Sequence, residues 1–139
     1  MPDPIPPRNS VMAVAASALK AQQSRMRIIA ENIANAQSTS PVAGGEPYRR
    51  QVPVFQAREI DGATGVTLAE VRPDQSDFRS EYDPSHPAAN AEGYVLRPNV
   101  DTLVEAMDMR EAQRAYEANL NVIETARSMD SRTLDILKK

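Results

Sequence analysis

Two long runs of the chain repeat apolar residues at helical spacing, and they lie at opposite ends. In the first, Met12, Ala15, Leu19, Gln22, Met26, Ile29, Ile33 and Ala36 follow one another at alternating steps of three and four, the seam of a helix that packs along another helix. Gln22 is its one polar position. Ahead of it, Met1 to Pro7 carries four prolines, which fix φ and remove backbone donors. Residues 1–8 are therefore expected to be extended, and the helix to occupy 9–37 with Asn9 or Ser10 as its cap.

The second run reads Met109, Ala112, Tyr116, Leu120, Ile123, Ala126, Leu134 and Leu137, with Leu103 and Met107 upstream and Asp130 interrupting. Pro98 and Asn99 announce it, Asn99 or Asp101 suits its cap, and nothing breaks it before Lys139. A helix over 98–139 follows. Between the two, the helical period vanishes over 38–97. Gln37 to Pro47 combines Ser, Thr, Pro and Gly-Gly, the composition of a loop. Short β-prone runs follow at Gln51 to Gln56, Gly65 to Val71 and Tyr94 to Leu96, with Asp61-Gly62 suited to a hairpin turn.

The predicted fold is mainly α: long N- and C-terminal helices packed as an antiparallel coiled-coil-like pair, with a small β-containing middle insert. Neither stripe is stable unless buried, because isolated helices draw most of their stability from packing an apolar face. A single pair of helices would still expose flanking residues such as Ile28, Val104 and Val122, which points to packing between subunits.

Composition narrows the function. Aromatics are 4% of the 139 residues, Trp is absent, and the net charge is -3. A thick core is not expected, and the basic excess that phosphate-backbone binding requires is missing. The chain has no cysteine, so disulfides, thiolate metal sites and thiol nucleophiles are excluded. No run approaches the roughly 18 apolar residues of a membrane span. Met1 to Pro7 has none of the parts of a cleaved secretory signal.

Catalytic chemistry finds little support. His86 is the single histidine; flanked by Ser85 and Pro87, it reads as a turn residue rather than a ligand or general base. Ser38, Ser40 and Ser85 lack the companions of a triad. Gly44-Gly45 lacks the Lys-Ser/Thr of a phosphate loop and reads as a hinge. No catalytic residue, cofactor, metal or small-molecule substrate is assigned.

Residues at both ends carry a family resemblance. Ser17 to Gln22, Arg25-Met26 and Ala30 to Ala36, then Asn99 to Asp101 and Glu111 to Asn119, are similar to the terminal signatures of the bacterial flagellar basal-body rod proteins. Gly45 to Arg50, Asp83 to Asn90 and Gly93 to Val95 resemble the C-type proximal rod branch of that family. The resemblance implies a non-enzymatic axial subunit that joins copies of itself and other rod proteins in a hollow, torque-transmitting helical rod crossing the periplasm. It also implies delivery by the flagellar export apparatus without a cleaved signal. Met12, Leu19, Met26, Ile29, Asn32, Ile33, Met109, Tyr116, Asn119, Leu120, Ile123, Leu134 and Leu137 would then pack subunits, with Asn32 fixing register, and Arg49, Arg50 and Arg114 would form polar contacts between them. The rival readings are a cytoplasmic coiled-coil adaptor or secretion chaperone, and a different flagellar axial protein.

Overall fold

In the computed structural model, which describes residues 8–138, the elements run α1 (Arg8–Ala34), β1 (Gln51–Ile60), β2 (Ala63–Pro73), β3 (Arg79–Tyr82), β4 (Tyr94–Arg97) and α2 (Thr102–Leu137). Of the extended segment expected over residues 1–8, residues 1–7 lie outside the described residues, as does the side chain of Asn9, and Arg8 is already the first residue of α1. The two long helices pack against one another, and α1 also packs against both β1 and β2.

The start of α2 and the end of α1 each have a local cause. α2 is capped by Asp101, whose Oδ1 accepts from the amides of Leu103 at 3.0 Å and Val104 at 3.4 Å; this satisfies two of the first-turn donors left without intrahelical partners. Asn99, the other candidate cap, is used elsewhere. Ser10 is not a cap: it lies inside α1, fully buried, and donates to the carbonyl of Asp61 at 2.6 Å. α1 stops three residues before the expected boundary at 37, where Asn35 folds its amide back onto the Glu31 carbonyl at 2.8 Å and Ser38 bonds the Asn35 carbonyl.

The insert is two separate antiparallel ribbons, β1 with β2 and β3 with β4. The first turns at Asp61 and Gly62, both with positive φ, 49° and 82°, the backbone that a two-residue type I′ hairpin demands. Register runs from Gln51 opposite Pro73 to Ile60 opposite Ala63, with a bulge at Val54/Phe55. Pro53 is tolerated because both strands of a two-stranded ribbon are edges. β3, absent from the sequence reading, pairs Arg79 with Arg97 through Tyr82 with Tyr94.

The core is thin and lies mostly on α1. Ala15, Ala21, Ile28, Ile29 and Asn32 are buried there, whereas α2 buries only Glu105 and Ala112. Ile28 corrects an expectation: it is 2% exposed rather than on an open flank. The reason is the ribbon. α1 has a second packed face, running through Ser10, Ser17, Ala21, Ser24, Ile28 and Asn32, and β1–β2 lies along it. The hydroxyl of Ser17 accepts from the amide of Val66 at 3.2 Å, and Gly65 stands so close that a Cβ there would come within 2.8 Å of the Ser17 Oγ. A small residue is required where strand backbone meets helix side chain.

Candidate assembly surface

The polar chemistry of the molecule gathers at the base of α2 and holds the insert to the helices. Arg50 bonds Glu105 through Nε and Asp74 through Nη1 at 3.2 Å. Glu105 is 1% exposed, so its charge is stable there only because a guanidinium meets it; its position in the first turn of α2 adds the favourable end of the helix dipole. Asn99 ties three segments together. Its Oδ1 accepts from the Arg50 amide at 2.7 Å, and its Nδ2 donates to the carbonyls of Asp74 and Ser76 at 3.0 and 3.1 Å. Arg49 donates to the same two carbonyls and lies over the Phe78 ring, 4.1 Å from its centre.

These contacts set the titration of the cluster. The backbone amide of Ser76 bonds the Asp74 carboxylate and, with the Ser76 hydroxyl and Arg50, holds it below the usual Asp range against a smaller cost of burial. Burial, and then the charges of Glu31 and Glu105, push the Tyr48 phenol above 10.0, so it remains a donor to Asn32 Oδ1 at 2.7 Å.

Arg49 and Arg50, expected to reach between subunits, thus make their bonds within the chain. So does Asn32: buried to 1% exposure, it donates to the Gln51 carbonyl and accepts from the Gln51 amide. Its geometry anchors β1 to α1, because the amide offers a donor and an acceptor to one peptide unit. Asn119 does not meet it; it bonds the Ala115 carbonyl at 2.9 Å and lines a cleft with Val11, Ala15 and Val122. Arg114 is exposed. Gly44-Gly45 is a docked turn rather than a hinge, since the Gly44 amide donates to the Ala88 carbonyl at 3.1 Å. His86 sits in its turn as expected, its Nδ1 accepting from the Ala88 amide at 3.0 Å. No three metal-ligating side chains converge among the described residues, and no described helix is long and apolar enough to cross a membrane.

The apolar packing candidates divide into three groups. Ile29 is buried; Met12, Leu19, Met26, Met109, Tyr116 and Ile123 are half-buried; Ile33 and Leu120 stand at the edge of exposure; Leu134 and Leu137 are exposed. Helix length explains the last group. With 36 residues in α2 and 27 in α1, and a rise of about 1.5 Å per residue, α2 outreaches its partner by roughly 14 Å. Val11, near the start of α1, already lies beside Ala126 and Met129. The turns beyond have no helix to cover them, so Leu134, Ile136 and Leu137 are 57%, 74% and 76% exposed. Met129 is exposed on the same half of α2, and Leu103 and Met107 are exposed at its other end.

The sequence pattern missed Glu105 and the hydroxyls of Ser10 and Ser17. A second stripe of small and polar residues at steps of three and four, beside the apolar seam of α1, was the available signal.

Two family models match the chain: residues 12–40 match the flagella basal body rod protein model, and 91–136 match the C-terminal model of the flagellar basal body rod FlgEFG proteins. Among relatives, the flagellar basal-body rod protein FlgC of Agrobacterium fabrum is 45% identical, covering 95% of this chain and 96% of its own length. The FlgC proteins of Escherichia coli O6:H1 and Bacillus subtilis are 41% and 38% identical, covering 91% and 90% of this chain and 96% and 95% of theirs. Matches of this extent embrace both helices and the insert between them, and on that ground the chain belongs to the FlgC family of flagellar basal-body rod proteins.

Proposed function

We infer that this chain is a structural subunit of the flagellar basal-body rod, a protein whose work is to be built into an assembly, and not an enzyme. The observation that carries the reading is the uncovered apolar end of α2, Leu134, Ile136 and Leu137, in a chain that shares its length with FlgC rod proteins. Burying such side chains against neighbours is worth about 1.5–3 kcal/mol each, and many repeated contacts would give a stiff shaft.

In the finer reading, the two helices run antiparallel as a coiled-coil-like pair. The contacts of Arg25 with Glu111 at 3.5 Å, of Ala15 near Val122 and of Val11 near Met129 support that direction. The chain then divides into a terminal segment, two axial helices built on α1 (Arg8–Ala34) and α2 (Thr102–Leu137), and the insert between them. Met12, Leu19, Met26, Met109, Tyr116, Leu120 and Ile123 would complete the intrachain seam and its margins, while Ile33, Leu134, Leu137 and Arg114 would meet copies of the chain and other rod proteins. The subunits would form the proximal part of a hollow helical rod that transmits torque across the periplasm, after delivery by the flagellar export apparatus without a cleaved signal.

The test is a deletion in the source bacterium combined with mass spectrometry of purified basal bodies. Loss of swimming, restored by the gene in trans, together with recovery of the chain in the basal-body fraction, is the expected result. Swimming deletion cells and basal bodies free of the chain would overturn the assignment.

A further inference from the structure

The apolar face of α2 belongs to the assembly already described; one charged cleft does not. Between α1 and the β1–β2 ribbon, Lys20 and Arg58 face a shared cleft whose walls include the hydroxyl residues Ser17, Ser24 and Thr67. Both cations are exposed, and neither has a carboxylate partner among the described residues, where Arg25, Arg50, Arg72 and Arg97 take the ion pairs. Two like charges beside one cleft are unfavourable to each other until an anion enters between them.

The complement stands beyond the C-terminal end of α1. The Gly44 amide bonds the Ala88 carbonyl, and the Asp83 amide bonds the Gly93 carbonyl at 2.9 Å. These bonds bring the loops carrying Glu46, Asp83 and Glu92 to one end of the molecule. Glu46 and Glu92 are exposed, and none of the three carboxylates meets a cation among the described residues. The cleft sits on Ser17 to Ser24, whereas these loops follow the end of α1 at Ala34, about 15 Å further along the axis at 1.5 Å per residue. An acidic knob and a basic cleft at separate places on one chain are complementary between copies, and contacts between unlike patches propagate into helical arrays instead of closing.

We propose that the Glu46–Asp83–Glu92 loop pair of one copy docks in the Lys20–Arg58 cleft of a second copy. This rests on the reading that copies of the chain adjoin in the rod. It adds a polar contact that sets the register of the apolar packing, since charge complementarity selects orientation more than it adds affinity.

Charge reversal tests it. Lys20→Glu with Arg58→Glu reduces swimming by at least about tenfold, because like charges then face each other across the contact. Adding Glu46→Lys with Glu92→Lys to the same chain restores it, which a variant that merely failed to fold would not do. Independently, the cysteine-free chain carrying Arg58→Cys and Glu92→Cys, treated with a short bismaleimide in purified basal bodies, gives a chain-chain dimer that either single substitution lacks. Failure of the swap to restore swimming, or absence of the dimer in basal bodies that contain the chain, overturns the docking. Absence of the unsubstituted chain from basal bodies would instead overturn the rod reading beneath it.

Discussion

Asn32 grips one peptide unit from both sides: its Nδ2 donates to the Gln51 carbonyl at 2.8 Å while its Oδ1 accepts from the Gln51 amide at 2.9 Å. A single buried side chain thereby fastens the start of β1 to the last turns of α1. Replacing it by leucine leaves two backbone groups and the Tyr48 hydroxyl without their partners in a part-buried setting. Asn32→Leu is expected to lower unfolding free energy by about 2–4 kcal/mol, read as a reduced denaturation midpoint. Asn32→Asp, which keeps the acceptor and loses the donor, should fall between.

Glu105 and Arg50 form the other fastening. Removing Arg50 strands the buried Glu105 carboxylate, so Arg50→Ala should cost about 3 kcal/mol; Glu105→Ala leaves Arg50 its Asp74 partner and should cost less, and the double replacement should cost less than the sum of the two. A double-mutant cycle by urea denaturation checks this; strict additivity would show that the pair is not coupled.

Asp74 and Tyr48 make stability depend on pH in opposite senses. Asp74 is held below the Asp value of 3.8; its contribution is present above that unfolded value and is lost as pH falls through the lower folded one. Stability should therefore decline through the acid range, and Asp74→Asn should flatten the slope there. Tyr48 is shifted the other way, above 10.0. Its contribution is present below the unfolded value and is lost as pH rises through the folded one, so Tyr48→Phe should be less sensitive to alkali. Denaturation midpoints measured from pH 3 to 11 would test both signs.

How much of this was legible in the sequence depended on which force shaped each part. The helices and the Asp61-Gly62 turn were readable because apolar period and positive φ leave local marks. Asp101 was one of two named caps. β3 was not readable: Arg79 to Tyr82 holds no alternation and forms a strand only because Tyr94 to Arg97 lies opposite. The roles of Asn32, Arg49 and Arg50 were likewise hidden, since the partners that define them lie 16 to 55 residues away along the chain. Ile28 was misplaced because the apolar seam alone gives no hint of a ribbon on a second face of α1.

Gly65 tests that ribbon contact. Its Cβ would come within 2.5 Å of Ile60 and 2.8 Å of the Ser17 Oγ, so Gly65→Ala should cost about 1–3 kcal/mol by overpacking. Ser17→Ala in the same chain should recover part of the loss, as thermal unfolding would show.

The end of α2 should behave oppositely. Ile136→Asp and Leu137→Asp change side chains that are 74% and 76% exposed, so the isolated chain should keep its unfolding free energy within about 0.5 kcal/mol. Swimming should nevertheless be lost, because the same positions would be covered in the rod.

Cryo-electron microscopy of purified basal bodies, at a resolution that shows side chains, tests the central claim most directly. The account predicts rod density that fits α1 and α2 of this sequence, with Leu134, Ile136 and Leu137 packed against neighbouring subunits. Rod density into which this chain cannot be built, or the same three side chains facing open solvent in the assembled rod, would contradict it.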